Sequence, residues 1–87
     1  MTFTVVWSHR AFEQTDEMLK AQPERLKSIQ RTLRTITDIL LQDPLTAGES
    51  REGDRRLWFL DNLIVEYIVD VEDEIVEITR VLPASLP

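Results

Sequence analysis

The hydrophobic and polar positions of residues 53–82 alternate with the two-residue period of β-strands. Three apolar runs separated by short polar turns lie at Arg56–Phe59, Leu63–Val71 and Glu74–Leu82. Asp61-Asn62 is expected to form the first turn, because both residue types tolerate the left-handed backbone of a tight hairpin. Glu72-Asp73 is expected to form the second turn. The pattern therefore predicts three consecutive antiparallel strands.

The middle run indicates that the sheet is covered on one side. One set of alternate positions is apolar and consists of Leu63, Val65, Tyr67, Val69 and Val71. The other set is mixed and consists of Asn62, Ile64, Glu66, Ile68 and Asp70. Because successive side chains of a strand point to opposite faces, we expect the apolar face to pack against other elements of the chain.

The first half of the chain predicts one strand and two helices. Thr2–Trp7 alternates as a short strand, and Ser8 follows it as the N-cap of a helix that ends near Gln22. The residues that recur at helical spacing in this first helix are Ala11, Phe12, Thr15, Met18 and Leu19. Pro23 is expected to occupy the first position of a second helix, where its missing amide proton costs nothing. The second helix has a narrow apolar stripe, formed by Leu26, Ile29, Leu33, Ile36 and Leu40.

The order of these elements predicts an α+β fold. The second helix is expected to end at Asp43-Pro44, since the residue before a proline is pushed out of the helical region, and Leu45–Gly53 is expected to be a loop. The order is then β-α-α-β-β-β, with a helical hairpin packed on one face of a twisted antiparallel sheet. At 87 residues, the chain is expected to form a single domain over 1–87. Its small core makes a partner protein or a homodimer a reasonable expectation.

The net charge of −6 is concentrated at one end of the chain. Residues 1–59 hold nine Lys and Arg and nine Asp and Glu, whereas residues 60–87 hold seven acidic residues against Arg80 alone. Nucleic-acid-binding surfaces normally carry the opposite sign, because they neutralise phosphates. The acidic strands argue against a wide nucleic-acid footprint, and a sheet edge kept soluble by charge is the simpler explanation for them.

The predicted second helix carries a basic surface. Its residues lie off the apolar stripe and are Arg25, Lys27, Arg31 and Arg34. This surface is either a contact face for an acidic partner or nucleic acid, or the solvated side of an amphipathic helix, which is the commoner arrangement.

The residue types that perform common enzyme chemistry are scarce. The chain has no cysteine, which excludes disulfides and thiolate metal sites. His9 is the only histidine and has no second imidazole with which to form a zinc site. We therefore predict no metal and no cofactor, and a surface or capping role for His9.

Arginines are the remaining candidates for chemistry with anions, which preorganised positive charge can stabilise. They are Arg51, Arg55, Arg56 and Arg80. The acidic residues Glu49, Glu52 and Asp54 alternate in sequence with three of these arginines. This arrangement is typical of local ion pairs, whose net energy is small.

Several segments also occur together in one known family. They are VVWSHRAFE near the N-terminus, LLQDPLTAG at the end of the second helix, and GDRRLWF followed by LIVEYIVDVEDEIVEITRVL in the predicted strands. In this order they resemble the RelE/ParE superfamily, the toxins of bacterial type II toxin–antitoxin systems. The resemblance implies a compact toxin domain that a partly disordered antitoxin wraps, and a target that is either ribosome-bound messenger RNA or DNA gyrase.

The branch of the family is argued from particular positions. The ribonuclease branch usually has an arginine three places before the strand tyrosine, and basic residues, histidine and tyrosine after the last strand. Ile64 and the tail Pro83–Pro87 stand at those positions here. Ile78–Leu82 looks more like the ParE branch, although DPLTAG looks RelE-like. The resemblance thus favours a gyrase-directed toxin that acts by binding.

Two alternatives stay open at this point. In the first, the chain is a ribosome-dependent, metal-independent messenger endoribonuclease, and the residues it uses are Arg55, Arg56, Tyr67 and Arg80. In the second, it is a degenerate homologue that only binds a partner. In each case the expected partner is a cognate antitoxin, and plasmid stabilization is the associated role. No apolar run approaches the roughly 18 residues of a membrane span, and the first residues lack the order of a signal peptide, so we expect a cytoplasmic protein.

Overall fold

The computed structural model describes residues 2–51 and 53–84. The predicted ion pairing of Glu52 and the tail residues 85–87 lie outside these ranges. The strands are β1 (Thr4–Trp7), β2 (Glu49–Ser50), β3 (Arg55–Leu60), β4 (Leu63–Asp70) and β5 (Ile75–Pro83). The helices are α1 (His9–Ala21), α2 (Leu26–Gln42) and α3 (Pro44–Ala47), with a 3-10 turn at Pro23–Arg25.

The five strands form one mixed sheet in the order β1-β5-β4-β3-β2. The antiparallel pairing of β3, β4 and β5 is confirmed. β1, in contrast, runs parallel to β5, with Thr4 opposite Ile75 and Trp7 opposite Ile78. The α+β prediction is therefore confirmed, but the expectation of a wholly antiparallel sheet is wrong at β1. The alternation of side chains tells which face a strand buries and not its direction. The helices carry the chain from β1 to the far side of the sheet, where β3 runs in the same direction as β1. The antiparallel strands β3, β4 and β5 then bring the chain back beside β1.

The two turns between the last three strands differ from each other. The first is the predicted hairpin at Asp61-Asn62, where Asp61 adopts the left-handed conformation with φ 54°. Its carboxylate Oδ2 accepts a hydrogen bond from Thr32 Oγ1 of α2 at 3.0 Å, which ties the turn to the helical layer. The second turn spans residues 71–74, so Val71 and Glu74 lie in the turn and not in the strands as predicted.

The helical hairpin begins as its sequence predicts. The hydroxyl of Ser8 accepts a hydrogen bond from the backbone N–H of Ala11 at 3.0 Å, which confirms the N-cap. The same hydroxyl donates to the carbonyl oxygen of Thr79 in β5 at 3.2 Å. Pro23 opens the second helical segment as a 3-10 turn, and regular α-helix follows from Leu26.

The core lies between the helices and one face of the sheet. The helices contribute the buried residues Ala11, Met18, Ile29, Ile36 and Leu40, and the sheet contributes Leu63, Val65, Tyr67, Val76, Ile78 and Val81. The predicted apolar face of β4 is thus confirmed, apart from Val71. None of the helices in residues 2–51 and 53–84 has the length and apolar character that crossing a membrane requires.

The segment expected to be a loop, Leu45–Gly53, contains most of α3 and the two-residue strand β2, so that prediction is wrong in part. β2 pairs with β3, with Glu49 opposite Leu57. A single helical turn is not stable by local interactions alone. Contacts from elsewhere in the fold hold α3, and the sequence pattern of the segment does not contain them.

Candidate functional site

The sheet divides the four residues that the sequence offered as candidates for catalysis. Tyr67 on β4 lies opposite Arg56 on β3, and both are on the face that the helices cover. Arg80 on β5 lies opposite Glu66, on the other face, where Arg55 also lies. Residues paired across neighbouring strands share a face, so the four side chains form two separate groups.

Tyr67 and Arg56 fasten the chain around α3 to the sheet. The hydroxyl of Tyr67 is buried and donates to the carbonyl oxygen of Pro44 at 2.7 Å. Nη2 of Arg56 donates to the carbonyl oxygens of Leu45 at 2.7 Å and Gly48 at 2.6 Å. A Cβ atom at Gly48 would lie 2.7 Å from Tyr67 Oη, so a glycine is needed there. We call this group of hydrogen bonds the clamp.

Burial favours the protonated form of the Tyr67 phenol. Burial raises the pKa of Tyr67 above its ordinary value of 10.0, and the guanidinium of Arg56 opposes that rise. A neutral phenol can donate to the Pro44 carbonyl oxygen, whereas a phenolate can only accept. The hydrogen bond at Pro44 therefore depends on the protonated form.

We expect the stability of the protein to decrease above about pH 10, because the phenol of Tyr67 then begins to lose its proton. The pKa is lower in the unfolded chain than in the folded protein, so the unfolded chain releases this proton first. The contribution of Tyr67 to stability is fully present at pH values below its pKa in the unfolded chain, and it is lost as pH rises through its pKa in the folded protein. Urea unfolding from about pH 8 to about pH 11 should show a steeper loss in the wild type than in Tyr67→Phe. Equal slopes for the two proteins would contradict this assignment.

The face of the sheet opposite the helices, called here the open face, has an apolar centre. The apolar side chains on this face are Val6, Leu57, Phe59, Ile64, Ile68, Ile75 and Leu82. They are half-buried or exposed, and the Phe59 ring is 57% exposed. An exposed apolar surface of this kind commonly marks a contact with another macromolecule.

A β-bulge in β5 shapes the centre of the open face. Glu66 pairs with Arg80 and Tyr67 pairs with Ile78, so Thr79 is the extra residue. The hydroxyl of Thr79 donates to Glu66 Oε1 at 2.9 Å, and Arg80 Nη1 lies 3.9 Å from Glu66 Oε2. Bulges change the direction of individual side chains. This one brings Arg80 beside the carboxylate of Glu66, which offsets part of the charge of Arg80.

The open face as a whole is more acidic than basic. At its edge, Glu49 is paired with Arg51 and adds no net charge. The remaining charged residues are Arg55 and Arg80 against Glu66, Asp70 and Glu77. A surface that binds a phosphate backbone needs an excess of positive charge. The open face is therefore better suited to a protein partner than to a nucleic acid.

A second apolar surface lies on the helical side of the molecule. A groove of about 470 Å³ between α1 and α2 is lined by Trp7, Phe12, Thr15, Asp16, Leu19, Gln30 and Leu33. Phe12 is 64% exposed within it. The sequence placed Phe12 and Leu33 on apolar stripes but did not indicate that they stay accessible. They do so because α1 and α2 bury other positions, such as Met18 and Ile36, against the sheet.

The remaining candidates lie at the surface. His9 is exposed and its Nε2 lies 2.7 Å from Glu13 Oε1, in agreement with the predicted surface role. Arg51 forms the expected local ion pair with Glu49, at 3.1 Å. In the part of the chain that the structure describes, no three His, Cys, Asp or Glu side chains converge as metal ligands would.

Comparison with known proteins finds similarity in structure only. No protein-family model and no curated protein matches the sequence. The toxin–antitoxin complex RelBE2 of Mycobacterium tuberculosis includes a chain that matches with a TM-score of 0.70 and 22% identity, over 95% of this chain and 99% of that chain. The chromosomal ParDE system of P. aeruginosa matches with a TM-score of 0.77 and 16% identity, over 97% and 98%.

The isolated E. coli RelE toxin matches as well, with a TM-score of 0.66 and 18% identity, over 98% of this chain and 87% of that toxin. At these identities the comparisons show the fold, which is the fold of RelE and ParE structures. The resemblance seen in the sequence is therefore confirmed at the level of the fold. RelE and ParE neighbours both match along nearly the whole chain, so the fold does not distinguish between the two branches.

Proposed function

We propose that this chain is the toxin-type component of a toxin–antitoxin pair, neutralised by a cognate antitoxin and acting by binding a protein target. The observation that carries the proposal is the presence of two exposed apolar surfaces, the groove and the open face, on opposite sides of one small domain. Two such surfaces provide one contact for a partner that holds the protein and another for a target. The fold supports the proposal, since the similar structures are toxin and toxin–antitoxin structures.

We assign the groove to the antitoxin. An apolar cleft between two helices, with an accessible aromatic ring such as Phe12, is suited to the apolar face of an amphipathic helix. Antitoxins of this class fold on binding, so the free energy of burying their apolar side chains must also offset the cost of ordering the chain. Two of the similar structures, RelBE2 and ParDE, belong to toxin–antitoxin pairs.

We assign the open face to the target, and we favour a protein target over RNA. Cleavage of RNA requires a group that activates the 2′-hydroxyl, an acid for the leaving oxygen and a free cation for the phosphate. Tyr67 and Arg56 are engaged in the clamp on the far side of the sheet, and Arg80 lies beside Glu66. Of the four candidates, Arg55 alone stays available on the open face, and one cation supplies neither the base nor the acid. DNA gyrase is the proposed target, as in the ParE branch, in the cytoplasm of the host.

The test is bacterial growth after tightly controlled induction of this gene, with and without the adjacent reading frame. We expect growth arrest that the neighbouring gene product relieves, and no cleavage of ribosome-bound messenger RNA by the purified protein. Normal growth at confirmed soluble expression would contradict the proposal and favour a homologue that only binds a partner. Messenger cleavage by the purified protein would instead establish the endoribonuclease alternative.

A further inference from the structure

The solvent side of α2 carries a row of three cations, Lys27, Arg31 and Arg34, which we call the basic row. All three are exposed and, with Gln30, line a shallow depression of about 270 Å³. The spacing of four and three residues keeps them on one side of the helix over about 10 Å. The ion pairs seen in residues 2–51 and 53–84 use His9, Lys20, Arg51 and Arg80, and none of them involves the basic row.

The basic row continues the groove on its α2 side. Gln30 lines both the groove and the depression of the basic row, so the two surfaces are contiguous. On the α1 side the groove ends at Asp16, whose carboxylate is bound to Lys20 at 3.0 Å. A helix lying in the groove therefore meets unpaired positive charge along one flank only, which makes the two flanks chemically different.

We propose that the basic row selects the antitoxin helix and sets its direction by binding a line of carboxylates beside the apolar face of that helix. This inference rests on the proposed function and adds the chemistry of the partner. Carboxylates three and four residues apart on a helix lie about 5–6 Å from each other, which matches the spacing of the cations they would meet. Complementary charge at the edge of an interface contributes mainly to specificity and to the rate of association.

The charge of the whole chain makes the basic row selective. The net charge of −6 makes the protein as a whole repel an acidic partner. The basic row is a local exception to that repulsion. Nucleic acid fits the same row less well. Glu24 and Asp38 continue its line at the two ends, so the positive surface is too short for an extended phosphate backbone.

The test compares two double variants of equal net charge against the product of the adjacent gene. Arg31→Gln with Arg34→Gln removes two cations of the basic row, and Arg10→Gln with Arg51→Gln removes two exposed cations elsewhere. Glutamine keeps the helix propensity of arginine, so matching circular dichroism and unfolding midpoints should confirm that both variants fold. At low salt, we expect the first variant to bind about tenfold to a hundredfold more weakly than the wild type and the second to change less than about twofold.

Salt dependence gives a second measurement. Raising the salt concentration should lower the affinity of the wild type for the gene product, because exposed charges are screened. The difference in affinity between the wild type and the basic-row variant should then largely disappear. Equal affinity for both variants would overturn this inference while leaving the proposed function intact. Failure of the wild type itself to bind the product would contradict both. Loss of binding to a single-stranded oligonucleotide in the basic-row variant, with unchanged affinity for the gene product, would assign the row to nucleic acid and also overturn the inference.

Discussion

Replacing Phe12 with alanine is expected to weaken antitoxin binding by about thirtyfold or more, because a central aromatic anchor is commonly worth at least 2 kcal/mol. The ring is 64% exposed in the unbound protein, so its removal should cost little folding stability. Titration calorimetry with the product of the adjacent gene measures the affinity. Growth assays should show that the variant still arrests growth but is poorly rescued by that gene product.

Phe59 provides a matched control for this prediction. It is the same residue type, it is 57% exposed, and it lies on the open face instead of in the groove. We expect Phe59→Ala to keep its affinity for the antitoxin and to lose much of its effect on growth. If both variants lose antitoxin binding, or if Phe12→Ala alone loses growth arrest, the assignment of one surface to each partner is wrong.

Replacing Tyr67 with alanine should lower the free energy of unfolding by about 3–5 kcal/mol, the range for removal of a large core side chain. The ring is fully buried among the strands and its hydroxyl holds Pro44, so the change leaves both a cavity and an unsatisfied carbonyl oxygen. Small domains have a total stability of about 5–15 kcal/mol. We therefore expect Tyr67→Ala to lose a large part of the total stability, which urea denaturation at 25 °C would measure, and a loss below about 1 kcal/mol would contradict the structural role of the ring.

Tyr67→Phe separates the structural role of this residue from a chemical role. It keeps the ring and loses only the hydrogen bond to Pro44, so we expect a loss of about 1–3 kcal/mol and a protein that still folds. If Tyr67 acts only by fastening the chain around α3 to the sheet, growth arrest by Tyr67→Phe should be proportional to the amount of folded protein. A folded Tyr67→Phe variant that has lost messenger cleavage present in the wild type would show instead that the hydroxyl acts in catalysis.

The strands and helices could be predicted from the sequence because each of them buries one regular face. The alternation around Val65 and the three-four repeat through Ile36 are local properties, and both correspond to buried residues in the structure. The left-handed turn at Asp61 is likewise encoded by residue type. Fold class and element order follow from such local signals.

The features that the sequence did not reveal all depend on contacts between distant residues. Arg56 belongs to an apparent cluster of arginines in the sequence, yet its guanidinium binds the carbonyl oxygens of Leu45 and Gly48. The extra residue Thr79 breaks the alternation of β5, and only the pairing with β4 shows that it forms a bulge. Phe12 reads as a core residue because an apolar stripe does not reveal how much of it stays exposed.

The parallel pairing of β1 with β5 also determines when the molecule can become complete. Thr4 of β1 lies opposite Ile75 of β5, about 70 residues later in the chain. That strand separates β1 from β4 in the sheet, and α1 packs against it. Such long-range closure is slow compared with the formation of helices. A nascent chain that still lacks β5 therefore has neither the groove nor the open face in its complete form, and both surfaces become complete together once β5 has been made.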